Sequence, residues 1–511
     1  MNYYIETFGC QMNYADSEKI NMILLQSWLK KVNSFEQAQI VILNTCSVRK
    51  KWEDKVYSIV NNIKKYNKKK NTNILVGITG CMTRKTGINQ KFYTQDRKRN
   101  ASKNIEFLEN KDSLFNSDDK IFGKTDKVDF VFRIEEVGYL TKILSILLNS
   151  DIWNDEKYND YLKIKQWSVN KAFANVVVQT GCDNFCSYCI VPYTRWREKT
   201  RDKNEIISEI KEVVLKWARE IILLWQNVNS YGKELKAKLW DENELKWAEK
   251  LPPLTPPKIG GEVNFCSSSI LGEARWGNDN SIEGFKTPFR ELLDEIDKIE
   301  WIDRIRFTSS NPHDMTSDIL DAHFELDKTC NYLHFALQSG DDEVLKNMNR
   351  KHTYTDFKKQ VDYLRDKDPY FGISTDIIVG FPGETEAQFQ NTVKAMKELE
   401  FDFAYIARYS ERSGTTASKL LKDNVTSIEK ARRWHILNDI LKESFQKRAN
   451  LMVWKTEEVL ISWISKNSNF YWRTRNFKEI TMPIKNWVNI WDIVKVKINK
   501  VNGRIIEGEI I

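Results

Sequence analysis

Apolar positions in the first 85 residues gather into short runs separated by mixed stretches. Tyr3–Phe8, Ile40–Asn44 and Ile74–Thr79 read as strands, and 17–31 and 51–65 carry helical spacing. Strand alternating with helix predicts a parallel α/β sheet with right-handed crossovers. A second series begins at Phe173: 173–179, 221–224, 305–309, 333–337, 373–379 and 403–408, most of them separated by helical patterns. That order predicts an open or closed α/β barrel. From about Leu451 the runs become short and β-branched, at 458–464, 478–483, 493–498 and 504–511, which predicts a small all-β barrel.

Residues 86–170 read as the remainder of the first unit plus a polar connector with charged runs such as 95–103. Residues 235–285 interrupt the barrel pattern: four of the ten prolines fall in 252–257, followed by Gly260-Gly261 and Ser267-Ser268-Ser269, as expected of an exposed insertion. The expected domains are therefore 1–150, 165–445 with the insertion at 235–285, and 447–511. A length of 511 residues suits about three domains.

Composition adds three things. With 41% hydrophobic residues, a mean hydropathy of −0.54, no long apolar run and no signal-like N-terminus, the chain is expected to be a cytoplasmic protein without a membrane span. Of the net charge of +8, residues 447–511 carry twelve Lys/Arg against six Asp/Glu, so a polyanion partner, nucleic acid, is expected at that end. Arg473 and Arg475 are its candidate phosphate contacts, with a solvated edge as the alternative. Glycine is scarce at 20, where average usage of about 7% predicts roughly 36, and tryptophan is abundant at 17.

Eight cysteines in such a chain point to metal binding or catalysis rather than disulfides. Cys10, Cys46 and Cys81 each follow a predicted strand within a residue or two. Parallel strands put their carboxyl ends on one edge, so the three thiols are expected to converge in a metal site. Cys266, in the insertion, and Cys330, before a strand, are not expected to be ligands. The densest motif is GCDNFCSYCIVPYTRWRE at 181–198, with Cys182, Cys186 and Cys189 in C-x3-C-x2-C spacing. Three thiolates on one loop hold three irons of a cubane and leave the fourth open. Zinc would want a fourth Cys or His at short spacing, and the next histidine in the chain is His313.

The loop, with Tyr188 before its third cysteine, resembles the radical S-adenosylmethionine superfamily. IETFGCQMN (5–13), NTCSVR (44–49) and TGCM (79–82) resemble the N-terminal domain of the methylthiotransferases, and QNVNSYG (226–232), HFALQSGDDEVLKNMNRKHTY (334–354) and DIIVGFPGET (376–385) match further along. The likeness covers nearly the whole chain outside the insertion and is greatest to the tRNA-modifying branch; the tail resembles the RNA-associated TRAM barrel. The resemblance implies two [4Fe-4S] clusters. One, on Cys182, Cys186 and Cys189, binds S-adenosylmethionine, from which the 5′-deoxyadenosyl radical is made; the other, on Cys10, Cys46 and Cys81, serves sulfur transfer. It implies methylthiolation at C2 of an N6-isopentenyladenosine beside the anticodon of tRNA. Alternatives are a methylthiotransferase acting on t6A in tRNA, or a non-catalytic iron–sulfur RNA-binding protein. Tyr188, Gln226, Asn227, Ser339, Gly340 and Gly380 are its cofactor-side candidates, though Gln226 and Asn227 could equally cap a turn, and Ser339-Gly340, Gly380 and Gly383 could be ordinary strand-to-helix turns. A flavodoxin-type electron donor and a monomeric state complete the expectation.

Against that family pattern, Trp196 and Trp225 fall in cofactor loops where relatives carry glycine, as do Trp28, Trp217, Trp301, Trp454, Trp472 and Trp491 elsewhere. Random drift would replace glycine with many residue types. Repeated replacement by the largest one suggests UGA codons that the organism reads as glycine.

Overall fold

The computed structural model describes residues 1–46, 50–83, 121, 127–150, 152, 160–165, 172–195, 197–233, 286–464, 469–483 and 485–511. The insertion at 235–285 with Cys266, the charged run at 95–103, and Trp196 lie outside them.

The first unit is a parallel sheet. Its strands are β1 (Asn2–Thr7), β2 (Lys30–Lys31), β3 (Ile40–Thr45), β4 (Leu75–Gly80) and β5 (Phe130–Val131), in the order β2-β1-β3-β4-β5. β3 and β4 are buried along their whole length, which is why they read as unbroken apolar runs. One face packs on α1 (Gln11–Gln26) and α3 (Leu140–Leu148), the other on α2 (Lys50–Lys70). Helix α1 starts at Gln11, six residues before the expected start at Ser17. Its buried face includes Asn13, Asp16, Lys19 and Asn21, so apolar periodicity could not mark its beginning.

The second unit contains two three-stranded parallel sheets. β6 (Phe173–Val177), β9 (Glu220–Leu224) and β10 (Arg304–Phe307) form one; β11 (Tyr332–His334), β12 (Gly372–Val379) and β13 (Phe403–Arg408) form the other. A parallel bridge between Ser310 and Phe335 joins them into an open arc; among the described residues the barrel is not closed. A short pair, β7 (Gln179–Thr180) and β8 (Lys199–Thr200), brackets the cysteine loop. Crossover helices α5 (Lys203–Val214), α6 (Pro288–Asp297), α7 (Ser317–Glu325), α9 (Tyr354–Lys367) and α10 (Glu386–Leu399) cover the arc, with α4 (Val191–Thr194), α8 (Asp342–Asn347) and α11 (Thr416–Leu420) as short turns. Val177, Ile222 and Leu224 of the arc bury themselves in the first unit's core, so the two units share an apolar seam.

Helix α12 (Ser427–Asn450) leads to the tail sheet of β14 (Thr456–Leu460), β15 (Trp463–Ile464), β16 (Asn469–Arg473), β17 (Glu479–Pro483), β18 (Ile493–Asn502) and β19 (Ile505–Ile510), ordered β14-β18-β19-β17-β16-β15. The Val459–Thr474 bridge curls it around its own core. The expected small barrel is thus a curled six-stranded sheet, unclosed among the described residues, and β16 is a strand that the apolar pattern missed.

Candidate active site at two cysteine loops

The first three cysteines meet at the carboxyl edge of the N-terminal sheet. Cys10 precedes α1 in extended conformation. Asn13, one turn in, ties the loops together: its Nδ2 donates to Asn44 Oδ1 (3.1 Å) and to the Thr45 carbonyl (3.0 Å), and its Oδ1 lies 3.4 Å from Cys10 Sγ. The Cys81 amide donates to the same carbonyl at 2.8 Å. Two glycines permit this closeness. A Cβ at Gly9 (φ +122°) would come within 2.7 Å of Cys46 Cβ, and one at Gly80 (φ +92°) within 2.4 Å of the Thr45 carbonyl. Cys46 and Cys81 are buried, and Cys10 is the open member. The surroundings of Cys10 nevertheless desolvate its thiol and raise its pKa; Cys81 adds to the rise and Arg195 opposes it.

Cys182, Cys186 and Cys189 follow β7. The segment after α8 holds their loop: the Ser187 amide donates to the Met348 carbonyl (2.9 Å), Ser187 Oγ to the Asn347 carbonyl (2.8 Å), and Asn349 Nδ2 to the Phe185 carbonyl (3.0 Å). Arg350 Nη1 lies 3.6 Å from Cys186 Sγ while Nη2 donates to the Ala336 carbonyl at 2.7 Å. Tyr188 packs its ring into an apolar cluster with Met348, Phe381 and Tyr409. Burial and then Cys186 raise the thiol pKa values of Cys182 and Cys189, the latter to about 12, and Cys81 is near enough to Cys189 to add to its shift. Cys81 of the first set therefore lies near Cys189 of the second.

Each set fits an iron–sulfur cluster. A thiol whose pKa is pushed up by burial and a neighbouring cysteine is not ionised in water at neutral pH; a cationic centre stabilises it as the thiolate. Among the described residues no three His, Cys, Asp or Glu side chains close on a single-ion centre; the thiolates of a cubane sit on separate irons.

The arc's carboxyl edge fits a polar cofactor. Thr180 Oγ1, Gln226 Oε1, Asn227 Oδ1, Ser310 Oγ and Gln338 Oε1 are buried there without a hydrogen-bond partner. Such atoms are costly and rare, and these lie beyond the ends of four strands, on one edge. Ser309 (φ +66°) and Gln338 (φ +74°) are also left-handed there. Of the residues expected from sequence, Gln226 and Asn227 join this ring, and Asn227 Nδ2 donates to Asp314 (2.6 Å). Gly340 and Gly380 are glycines for packing: a Cβ would meet the backbone of α10 at 2.7 Å at Gly340 and Lys430 of α12 at 2.3 Å at Gly380. Ser339 Oγ meets Thr392 Oγ1 of α10 (3.3 Å). Thr180, Ser310, Gln338 and Arg350 were not singled out by sequence reasoning. Their common signal, a position just past a core strand or within a matched motif, was visible; their loss of partners was not.

A buried bridge joins the loops. Arg195, six residues after Cys189, forms an ion pair with Asp16 of α1, with both side chains essentially unexposed, and the Tyr161 hydroxyl donates to Asp16 Oδ1 at 2.6 Å. Glu198 is half-buried beside the loop, accepting from Ser230 Oγ (3.1 Å) and the Asp183 amide (3.3 Å). Burial, then Asp183, raises its pKa to about 7.

Several of the tail's cations are engaged within the protein, Arg473 and Arg475 among them. Arg475 Nη2 donates to the carbonyls of Asp327 (2.7 Å) and Thr329 (2.9 Å), docking the tail on the arc. Arg473 stacks over Phe477 and pairs with Glu479 at 3.2 Å. Lys495, Lys497 and Lys500 of β18 stand opposite Glu458, Glu509 and Glu507 on neighbouring strands, so the tail's charge excess does not by itself mark an RNA surface.

Residues 176–396 match the radical SAM superfamily, and residues 2–99 match a family described as uncharacterized protein family UPF0004. The chain is 36% identical over its full length to the tRNA-2-methylthio-N(6)-dimethylallyladenosine synthase of Clostridium novyi (strain NT), covering 96% of that protein. It is 33% identical to the enzyme of the same name from Christiangramia forsetii, with 99% of this chain and 93% of that one covered. Among solved structures, the radical S-adenosylmethionine methyltransferase TsrM from Kitasatospora setae aligns at 12% identity and a TM-score of 0.48, covering 82% of this chain and 76% of that one. With two cysteine sets on two matched domains and full-length identity above 30%, the chain belongs to the tRNA-2-methylthio-N(6)-dimethylallyladenosine synthase family of radical S-adenosylmethionine enzymes.

Proposed function

We propose that the chain methylthiolates C2 of N6-isopentenyladenosine, beside the anticodon of tRNA. Two three-thiol sets on units that share an apolar seam, with Cys81 near Cys189, carry the reading. When bound, one cluster would supply the electron that cleaves S-adenosylmethionine, the other would present the sulfur that the substrate carbon receives, and a second S-adenosylmethionine would supply its methyl group. Cys182, Cys186 and Cys189 hold the first, and Cys10, Cys46 and Cys81 the second. The amide oxygens of Gln226, Asn227 and Gln338 accept from a cofactor's ammonium or hydroxyl groups, and the hydroxyls of Ser310 and Thr180 donate or accept. Arg350 holds Cys186 in place, and the Asp16–Arg195 pair fixes one loop against the other. A target base reaches this edge splayed out of a tRNA loop. No helix among the described residues is long and apolar enough to cross a membrane; we place the protein in the cytoplasm, as a monomer served by a flavodoxin-type donor.

The test is anaerobic reconstitution with iron, sulfide, S-adenosylmethionine, dithionite and tRNA from a host lacking the methylthio step, read by nucleoside mass spectrometry. The 2-methylthio derivative of isopentenyladenosine is expected, with 5′-deoxyadenosine released. C182A loses both products, whereas C10A keeps 5′-deoxyadenosine and loses the methylthio nucleoside. A methylthio derivative of t6A, or no 5′-deoxyadenosine, overturns the proposal.

A further inference from the structure

Thirteen described residues other than glycine have left-handed backbone, and five are tryptophan: Trp28 (φ +62°), Trp217 (+78°), Trp301 (+68°), Trp454 (+69°) and Trp491 (+82°). With 17 tryptophans in 511 residues, a proportional share of thirteen would be less than one. Left-handed geometry belongs to glycine and, less often, asparagine; a bulky side chain there is an outlier. The local motifs are also those of glycine. Trp28 follows α1 where the Leu29 amide returns to the Leu24 carbonyl (3.0 Å), and Trp217 follows α5 where the Ala218 amide returns to the Val213 carbonyl (3.2 Å). This six-to-one bond marks the helix ending that glycine dominates.

Packing offers little in return: Trp217 and Trp491 make one tilted ring contact at 6.4 Å, and Lys497 Nζ lies 5.7 Å from the Trp454 ring. The side chains of Trp28, Trp217, Trp301 and Trp454 are 67–89% exposed, so each combines an unfavourable backbone with a large apolar surface in water. Trp434, by contrast, is helical and donates its indole N–H to the Ile406 carbonyl at 2.9 Å. Trp225 is anomalous in another way: it is buried just past β9, and its Nε1 has no partner. Trp472 lies in the β16 ladder opposite Ile480 without left-handed backbone, and is not among these positions.

We infer that the polypeptide made in its own cell carries glycine at positions 28, 217, 225, 301, 454 and 491, each encoded by UGA. UGA is one base from the tryptophan codon UGG and one from the glycine codon GGA, so a single reassignment produces all six. Glycine restores permitted backbone at five of these positions. At the sixth it removes a buried indole whose Nε1 has no partner, next in sequence to Gln226 and Asn227 of the edge assigned above to the cofactor. The five left-handed positions stand without that assignment.

Peptide mass spectrometry of protein purified from the source organism tests the inference. Glycine is expected at all six positions, with tryptophan at Trp434 as the internal control; tryptophan at the six positions overturns it. A second arm uses recombinant full-length chain, comparing W28G, W217G, W301G, W454G and W491G, combined, with the same five positions changed to alanine. The glycine variant melts several degrees above the parent and above the alanine variant, because only glycine relieves φ > 0. Equal melting of the glycine and alanine variants would show that the backbone carries no such demand, and overturns the argument.

Discussion

Lys19 lies on the buried face of α1, its Nζ donating to the Tyr161 carbonyl at 2.9 Å. Burial pushes its pKa down to about 7, against an opposing pull from Glu209 and a weaker one from Asp16. In the unfolded chain the group titrates near 10.5. Between those values the unfolded state binds more protons, so stability is greatest above the upper value and falls as pH drops toward the lower. At about 1.4 kcal/mol per unit, the contribution is a few kcal/mol at most. K19M should flatten the slope of melting temperature between pH 10 and pH 7, measured by scanning calorimetry across a pH series; an undiminished slope would place the titration elsewhere. Arg350 makes a second residue-scale prediction: R350M should slow 5′-deoxyadenosine formation about tenfold, a loss of about 1.4 kcal/mol of transition-state stabilisation, and alter the cluster's EPR signal, because Cys186 loses its neighbouring charge. Both effects show the limit of reading residues from sequence. The cysteines announce themselves through spacing along the chain, whereas Arg350 meets Cys186 across 164 positions and Lys19 meets Tyr161 across 142.

Helix α1 does at the element scale what its sequence conceals. The strands around it were legible because β3 and β4 are buried end to end, and their cysteines kept phase with them. The start of α1 was missed because its buried face is polar, and that polarity belongs to the site: Asn13 gathers the first thiol loops and Asp16 grips Arg195 beyond the second. Removing one partner of a buried pair strands the other's charge, at a cost of roughly 3–5 kcal/mol. D16N or R195M should therefore lower the melting temperature sharply, while the double change D16L/R195M recovers much of it. If the pair also sets how the loops face each other, the double variant will still release 5′-deoxyadenosine but yield far less methylthio nucleoside per radical formed. Full recovery of that ratio in the double variant would reduce the bridge to a stabilising contact. The ring of unpartnered polar atoms past the arc's strands was half legible: parallel strand order names the edge, but only coordinates show which oxygens there lack partners.

On the scale of the whole molecule, the tail is bound to the arc by guanidinium groups aimed at backbone carbonyls. Arg304 of β10 donates to the carbonyls of Arg473 (2.7 Å) and Glu458 (2.8 Å), and Arg306 to those of Arg475 (2.8 Å) and Thr474 (2.7 Å). Arg475 returns the gesture to Asp327 and Thr329. Counting charge along the sequence suggested an open basic module; folding spends several of those cations on holding the module in place, and three more face glutamates across the ladder. The tail's part in tRNA binding would then be one of position, from a platform fixed against the amino ends of the arc's strands, the edge opposite the cysteine loops. That distinction is testable by loosening the dock without touching the thiols. Arg306 is unsuitable because it also neutralises buried Glu220 (3.0 Å), but Arg304 and Arg475 bond only to carbonyls. Hydrogen bonds to charged groups are worth about 1.5–3 kcal/mol each, so R304M/R475M should free the tail without unfolding the arc. Amide exchange across β14–β19 should accelerate, and tRNA affinity should weaken roughly tenfold or more, since 1.4 kcal/mol is a factor of ten. Release of 5′-deoxyadenosine without tRNA should stay at the parent level, because the loops that hold the clusters are untouched. If tRNA affinity holds while the tail exchanges freely, recognition lies on the first two units alone.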